Sequence, residues 1–263
     1  MTKAIEAQTA PRKPDGVLTT HTDSLTVITE IFFNHKRLPY DIEIRTVSFG
    51  PERHNFHITD DNLGVGGEKT KYQYNVAAIR TLKQIEAEGR LATPEEQETL
   101  SRYVGWGGIA KAFDPDDPKW AREYAELKEL LTRSEYDSAR STVLNAHYTS
   151  PTVIKAMYQA VENMNYKPGT VLEPSMGVGN FFGLLPDSMA GAKLYGVELD
   201  DLTGRIARQL YQNADITVSG FEKTDQRDFY DLAVGNVPFG QYQVNDPAYN
   251  KLGFNIRPLA KIK

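Results

Sequence analysis

The run Val171-Leu172-Glu173-Pro174-Ser175-Met176-Gly177-Val178-Gly179-Asn180-Phe181 sets two glycines just beyond a short apolar stretch. Glycines leaving a buried strand let the chain turn sharply and let a ligand approach the backbone. Only a Gly-x-Gly core is present. The third glycine of the dinucleotide fingerprint is missing, so pyrophosphate is not the natural ligand. Taken alone, the loop is equally well a plain strand-to-helix turn. Glu198, which closes Leu194-Tyr195-Gly196-Val197-Glu198, shifts the balance. It lies roughly 20 residues beyond the loop at the tip of the next predicted strand, where an acid reaches ribose hydroxyls. Its bland alternative is a cap for the following helix, a job open to Asp200 or Asp201 instead. The two features together point to a nucleoside-bearing cofactor.

A second constellation is Asp231-Leu232-Ala233-Val234-Gly235-Asn236-Val237-Pro238-Phe239-Gly240. A short apolar strand delivers Asn236, then Pro238 and Phe239, to the carboxyl end of a sheet, where open α/β proteins place their ligands. These residue types suit an adenine amino group, a poor nucleophile because its lone pair is delocalised into the ring. Two acceptors against its two hydrogens, the side-chain oxygen of Asn236 and the carbonyl of Val237, would draw the nitrogen toward tetrahedral geometry. The lone pair would then face a sulfonium methyl group, with the gain coming from positioning and preorganised dipoles. Proline fixes the local backbone, and Phe239 can stack on a base swung out of a duplex. Asn, Pro and Gly also form ordinary turns, but their order after an apolar strand favours the amine site.

The surrounding pattern supplies a frame. From Thr70 to Leu144 the signal is helical: Tyr72, Val76, Ile79, Leu82 and Ile85 recur at three-to-four spacing, and Gly89 stands where a helix would stop. Thr93-Pro94-Glu95-Glu96 and Thr132 with Glu135 are capping-box starts. Trp120, Tyr124, Leu127 and Leu131 give another apolar face. Ser150-Pro151 opens a further helix. Beyond it, predicted strands at Thr170–Leu172, Leu194–Val197, Ile216–Ser219 and Leu232–Val234 alternate with helices near Phe181–Leu185 and Asp201–Tyr211, the pattern of a doubly wound α/β sheet. Residues 1–54 are expected to be a flexible or weakly structured N-terminal segment, with Ile42, Ile44, Thr46 and Ser48 alternating weakly as an edge strand would. Residues 55–144 are then a helical subdomain and 145–263 a partial α/β domain.

Composition removes several classes. The chain has 263 residues, a net charge of −5 and no cysteine, so disulfides and thiolate metal sites are excluded. No apolar run is long enough to span a membrane and no secretory signal is visible, so a cytoplasmic protein is expected. The acidic balance argues against autonomous tight DNA binding, which draws its non-specific affinity from neutralised phosphates. His54, His57 and His147 lack partners at metal spacing. Asp114–Asp117, with Pro115 inside, is expected to be a solvated turn, since calcium-loop spacing is absent. Trp106, set among Gly105, Gly107 and Gly108, is expected to be packed, because an exposed stacking residue needs a basic groove around it.

The Asn236–Phe239 segment resembles the amino-methyltransferase family, whose fourth motif reads Asn or Asp, Pro, Pro, aromatic; Val237 here stands where that family has its first proline. Tyr148-Thr149-Ser150-Pro151 is similar to the aromatic-Thr-Pro element that precedes the first strand in the gamma arrangement and helps hold the methionine end of the cofactor. The likeness is greater to very large methylase–helicase proteins of phages, plasmids and conjugative elements. It rests on Tyr103-Val104-Gly105-Trp106-Gly107-Gly108, Asn145-Ala146-His147-Tyr148-Thr149-Ser150-Pro151 and Gly235-Asn236-Val237-Pro238-Phe239-Gly240, and covers roughly Asn55 to Phe254. The resemblance implies a Rossmann-like S-adenosylmethionine-dependent methyltransferase fold behind a helical subdomain, S-adenosyl-L-methionine as cofactor and DNA adenine as target; no metal site is expected, since no metal-ligand spacing is present. It implies that Tyr148, Thr149, Glu173, Pro174, Gly177, Gly179, Asn180, Phe181, Glu198, Phe221 and Glu222 bind the cofactor. Asn236, Val237, Pro238 and Phe239 would form the catalytic site.

After Phe239 only 24 residues follow, whereas the family's sheet continues with three more strands and a target-recognition segment. The expectation is therefore the first strands of the fold with its C-terminal half missing, completed by a second chain or a missing C-terminal segment. Two rival readings stay open. One is a non-catalytic cofactor-binding or interaction module; the other is a methyltransferase acting on amide nitrogens of protein, or on RNA. A nicotinamide enzyme is a distant fourth for want of the third glycine.

Overall fold

A computed structural model describes residues 15–22, 25–33, 42–48, 52–143, 148–226 and 228–237. The chain divides into two compact units, Met1–Arg53 and His54–Lys263. In the first, strands β1 (Asp15–Thr22), β2 (Leu25–Phe33) and β3 (Ile42–Ser48) form an antiparallel sheet in that order. Gly16 and Ile44 both pair with Ile31 of the central strand. The segment expected to be weakly structured thus holds a sheet, with β3 at its edge as the alternation suggested. The overlooked signal is β2, Leu-Thr-Val-Ile-Thr-Glu-Ile-Phe-Phe. Its β-branched and aromatic content favours a strand although its polar and apolar residues do not alternate cleanly.

The second unit begins with helices α1 (Glu68–Glu88), α2 (Pro94–Leu100), α3 (Ala121–Leu130) and α4 (Arg133–Thr142). Their ends follow the sequence signals. Gly89 terminates α1 in the left-handed region at φ 64°, and Thr93 with Glu96 and Thr132 with Glu135 form both halves of a capping box. The predicted face of α1 is buried at Tyr72, Val76, Ile79, Leu82 and Ile85. Between α2 and α3 the glycine-rich loop is pinned by Asn75, which donates to the Gly105 carbonyl at 2.6 Å and accepts from the Val104 N–H at 2.9 Å. Trp106 is fully buried, its ring met edge-on by Tyr72, Tyr103 and Phe113. Packing is its role here.

Helix α5 (Pro151–Asn163) leads into β4 (Thr170–Glu173), α6 (Asn180–Gly183), β5 (Lys193–Glu198), α7 (Asp201–Leu210), β6 (Asp215–Val218) and β7 (Leu232–Ala233). All four strands are parallel and lie in the order β6-β5-β4-β7. Each predicted strand and helix of this part is present, with bounds moved by a residue or two. The result is an α/β sheet compatible with a Rossmann-like arrangement. Among the described residues no helix is long and apolar enough to cross a membrane.

Helix α7 occupies the middle layer. One side packs on β5 and β6, so closely that a Cβ at Gly204 would meet the Val218 side chain; the other side meets α1, α2 and α4. The residues on either side of position 145 therefore share one compact unit. Polar clamps tie these layers. Gln97, 2% exposed, donates to the carbonyls of His54, Gln209 and Leu210. Arg205 of α7 bonds Glu86 of α1 and Glu135 of α4, and Glu135 also takes Lys83.

Burial alone would raise the Glu135 carboxyl, but hydrogen bonds from Lys83, Arg205 and the Thr132 backbone outweigh it and hold its pKa at about 2. A carboxylate depressed in the folded state adds stability above its unfolded value of 4.5, and that contribution fades as pH falls through the folded value. Glu135→Gln is therefore expected to cost on the order of 2–3 kcal/mol at pH 7. The penalty should shrink between about pH 4.5 and 2 in urea unfolding measured across pH.

Candidate functional site

The chain order of the sheet creates a place for a ligand. From β4 the connections run outward through β5 to β6, then the chain returns to the other side of β4 as β7. Beyond the carboxyl ends of β4 and β7 lies a topological switch point, where open α/β sheets leave a crevice. Glu173 ends β4 and Gly235-Asn236 follows β7 at that point. The main-chain pairing continues past β7, with the Val234 N–H donating to the Leu172 carbonyl at 2.9 Å. A Cβ on Gly235 would stand 3.4 Å from Pro174 and 3.5 Å from Glu173. The segment carrying Asn236 is thus laid against the glycine loop. Asp231, at the opposite end of β7, has a structural role: its carboxylate accepts from the N–H groups of Gly169 and Thr170 at 2.8 Å each.

The loop after β4 turns through two left-handed glycines, Gly177 at φ 57° and Gly179 at φ 84°. Such angles cost an L-residue about 1–2 kcal/mol. Glu198 at the tip of β5 bridges this loop to the next helix, accepting from the Gly177 N–H and the Asp200 N–H, each at 2.8 Å. Asp200 itself caps α7, accepting from the Thr203 N–H. The cap that Glu198 could have supplied is therefore made by Asp200. Glu198 keeps a carboxylate at the strand tip, beside a loop free of side chains at two positions. Burial raises its pKa, opposed by the N–H donors of Asp200 and Gly177.

Glu173 is 2% exposed and its Oε2 has no hydrogen-bond partner. Burial, and after it the charge of Glu198, push its carboxyl well above the usual range. The hydroxyls of Tyr158 and Tyr211 lie in its surroundings. A buried acceptor without a donor is costly. Among the described residues of this crevice it is the feature that calls for a cationic or donor group brought from outside.

The other expected site residues fall as follows. Tyr148 is half-buried with its ring against Gly177, where a Cβ would come within 3.1 Å of it; Thr149 is half-buried beside it, ahead of α5. Pro174 and Asn180 are half-buried at the two ends of the loop. Phe181 is turned into the core at 2% exposure, its ring edge-on to Tyr158, so its side chain is not presented at the loop surface. Phe221, 50% exposed, and Glu222 lie in the single helical turn after β6. Asn236 and Val237 are exposed, while Pro238 and Phe239 lie outside the described residues. The structure brings together Tyr148, Glu173, Pro174, Gly177, Gly179, Glu198, Gly235 and Asn236. Three neighbours to which sequence reading assigned no site role, Tyr103, Ser138 and Thr203, gather on the far side of Asp200. No spacing rule links a buried tyrosine or a helix serine to an acid far along the chain.

Two curated proteins are similar to this chain. One is the "Defense against restriction protein B" of Escherichia phage P1, 26% identical over 180 residues, which cover 67% of this chain and 6% of that protein. The other is the "Type II methyltransferase M.CvrRI" of Paramecium bursaria Chlorella virus XZ-6E, 31% identical over 75 residues, 28% of this chain and 20% of that protein. The chain therefore spans a small part of the length of either. No family model matches, and no solved structure matches. The chain is distantly similar to a methyltransferase and to a restriction-defence protein.

Proposed function

We propose that the second unit is the cofactor-binding and amine-binding part of an S-adenosylmethionine-dependent methyltransferase of the gamma type. Its proposed target is the adenine amino group of DNA. One observation carries the reading: the Asn236 segment lies against the Glu173-Pro174 end of the glycine loop that Glu198 holds, at the switch point of a parallel sheet. The kinship with a type II methyltransferase and with a restriction-defence protein supports it.

The residues fit such a cofactor. Glu198 would accept from ribose hydroxyls while the bare backbone at Gly177 and Gly179 lets the nucleoside close in. Tyr148, Thr149 and the loop would flank the methionine end, and the orphan oxygen of Glu173 would meet its ammonium group. Phe221 and Glu222 would border the adenine. The cofactor supplies an electrophilic methyl group; the protein's part is to hold and orient. Asn236 and the Val237 carbonyl would accept the two hydrogens of the target amine, with Phe239 stacking on the extruded base. With a net charge of −5, this chain would take its grip on DNA from elsewhere.

Burial and the charge of Glu198 favour the neutral form of Glu173, and an ammonium group beside it would favour the charged form, so cofactor binding would draw a proton off it. Calorimetric titration with S-adenosylmethionine at pH 7, repeated in buffers of different ionisation enthalpy, is expected to report net proton release that Glu173→Gln abolishes. The target class is tested by label transfer from the methyl-labelled cofactor. Label in DNA supports the reading; label in protein or RNA but not in DNA overturns the adenine assignment.

A further inference from the structure

We propose that Ser138 of α4 is a positioning residue for Glu198, acting through Asp200, so that the helical layer sets the geometry of the ribose-binding acid. This rests on the reading of Glu198 given above. The contacts form a continuous chain. Ser138 Oγ donates to Asp200 Oδ1. Asp200 Oδ2 accepts from the Thr203 N–H at 2.9 Å and the Thr203 hydroxyl at 2.6 Å. The Asp200 N–H donates to Glu198 Oε1, and Glu198 Oε2 takes the Gly177 N–H, both at 2.8 Å.

The side chain between the two acids, Leu199, is 77% exposed and adds no packing to this turn, whereas the polar contacts of Glu198 and Asp200 tie it to the glycine loop, α7 and α4. Asp200, by contrast, is 5% exposed, so a lost donor there is not replaced by bulk water. The donor comes from a well-anchored helix: α4 has a complete capping box and is tied to α1 and α7 through Glu135. The same layer adds Tyr103, 1% exposed in the Trp106 loop, which lies beside Thr203, Asp200 and Glu198. Two side chains from outside the sheet thus back the pair of acids at the end of β5.

The test is a double-mutant cycle on S-adenosylmethionine affinity, with unfolding midpoints measured alongside. Ser138→Ala is expected to weaken binding about 3–10-fold with Glu198 intact. In a Glu198→Gln background, where the one amide oxygen can accept from only one of the two N–H groups and the ribose-binding carboxylate is gone, it should change affinity less than about twofold. A merely structural serine would move the unfolding midpoint and act equally in both backgrounds, and that result overturns the proposal. So does an unaltered affinity in the single variant. Should Ser138→Ala fail to fold, Ser138→Cys, nearly the same size but a weak donor, runs the same cycle with the same criterion. A folded parent that binds no cofactor overturns the methyltransferase reading itself, and this inference with it.

Discussion

Replacing Asn236 by alanine is expected to lower methyl transfer to an adenine amino group roughly 10²–10³-fold, with S-adenosylmethionine affinity within about twofold of the parent. The asymmetry follows from where the residue sits. Asn236 is exposed just past β7, whereas the cofactor-facing groups cluster at the loop after β4 and at the tip of β5. Its removal deletes an acceptor that matters as the amine nitrogen becomes tetrahedral, and a loss confined to the transition state shows in kcat alone. Asn236→Asp keeps an acceptor and should recover part of the rate. Single-turnover label transfer checks all three proteins. Equal rates for parent and alanine variant would remove Asn236 from the chemistry.

Gly179→Ala is expected to destabilise the second unit by about 2–4 kcal/mol, and Gly177→Ala by about 1–2 kcal/mol. Both positions lie in the left-handed region, at φ 84° and 57°, so each pays the conformational term. Only Gly179 adds a severe clash. Its Cβ would stand 2.5 Å from Cε2 and 3.0 Å from Cδ2 of Tyr211, a fully buried ring held edge-on by Phe182. At Gly177 the neighbour is Tyr148 at 3.1 Å, a half-buried ring that can give way. Against a typical domain stability of about 5–15 kcal/mol, the first change should shift a urea midpoint plainly and the second slightly. The same shift for both would mean that the Tyr211 contact does not govern the loop.

The local parts of the candidate site could be read from the sequence because each depends on near neighbours. A glycine pair after an apolar run, an acid at a strand tip, and Asn after a short strand each announce themselves within about ten residues. Helix ends were equally plain, since Thr93, Thr132 and Gly89 act on their own backbone neighbours. What the pattern could not give is registration across space. The role of Gln97 depends on carbonyls more than a hundred residues away. Asp200 could be read as a cap, yet its bond to Ser138 could not. The unpartnered oxygen of Glu173 is likewise a property of its burial. The sheet of β1 to β3 was missed for a different reason. Its central strand is rich in β-formers, but its polar residues Thr26, Thr29 and Glu30 follow no period of two, so periodicity alone does not mark it.

The measurement closest to the central claim is calorimetric titration of the purified chain with S-adenosylmethionine beside a Glu198→Ala control, both checked for a cooperative unfolding transition. Saturable one-to-one binding is expected for the parent. The control should bind roughly 10–100-fold more weakly, the loss expected for charge-assisted hydrogen bonds. A folded parent that takes up no cofactor, or a control that binds as well as the parent, would contradict the reading of this unit as a methyltransferase cofactor site.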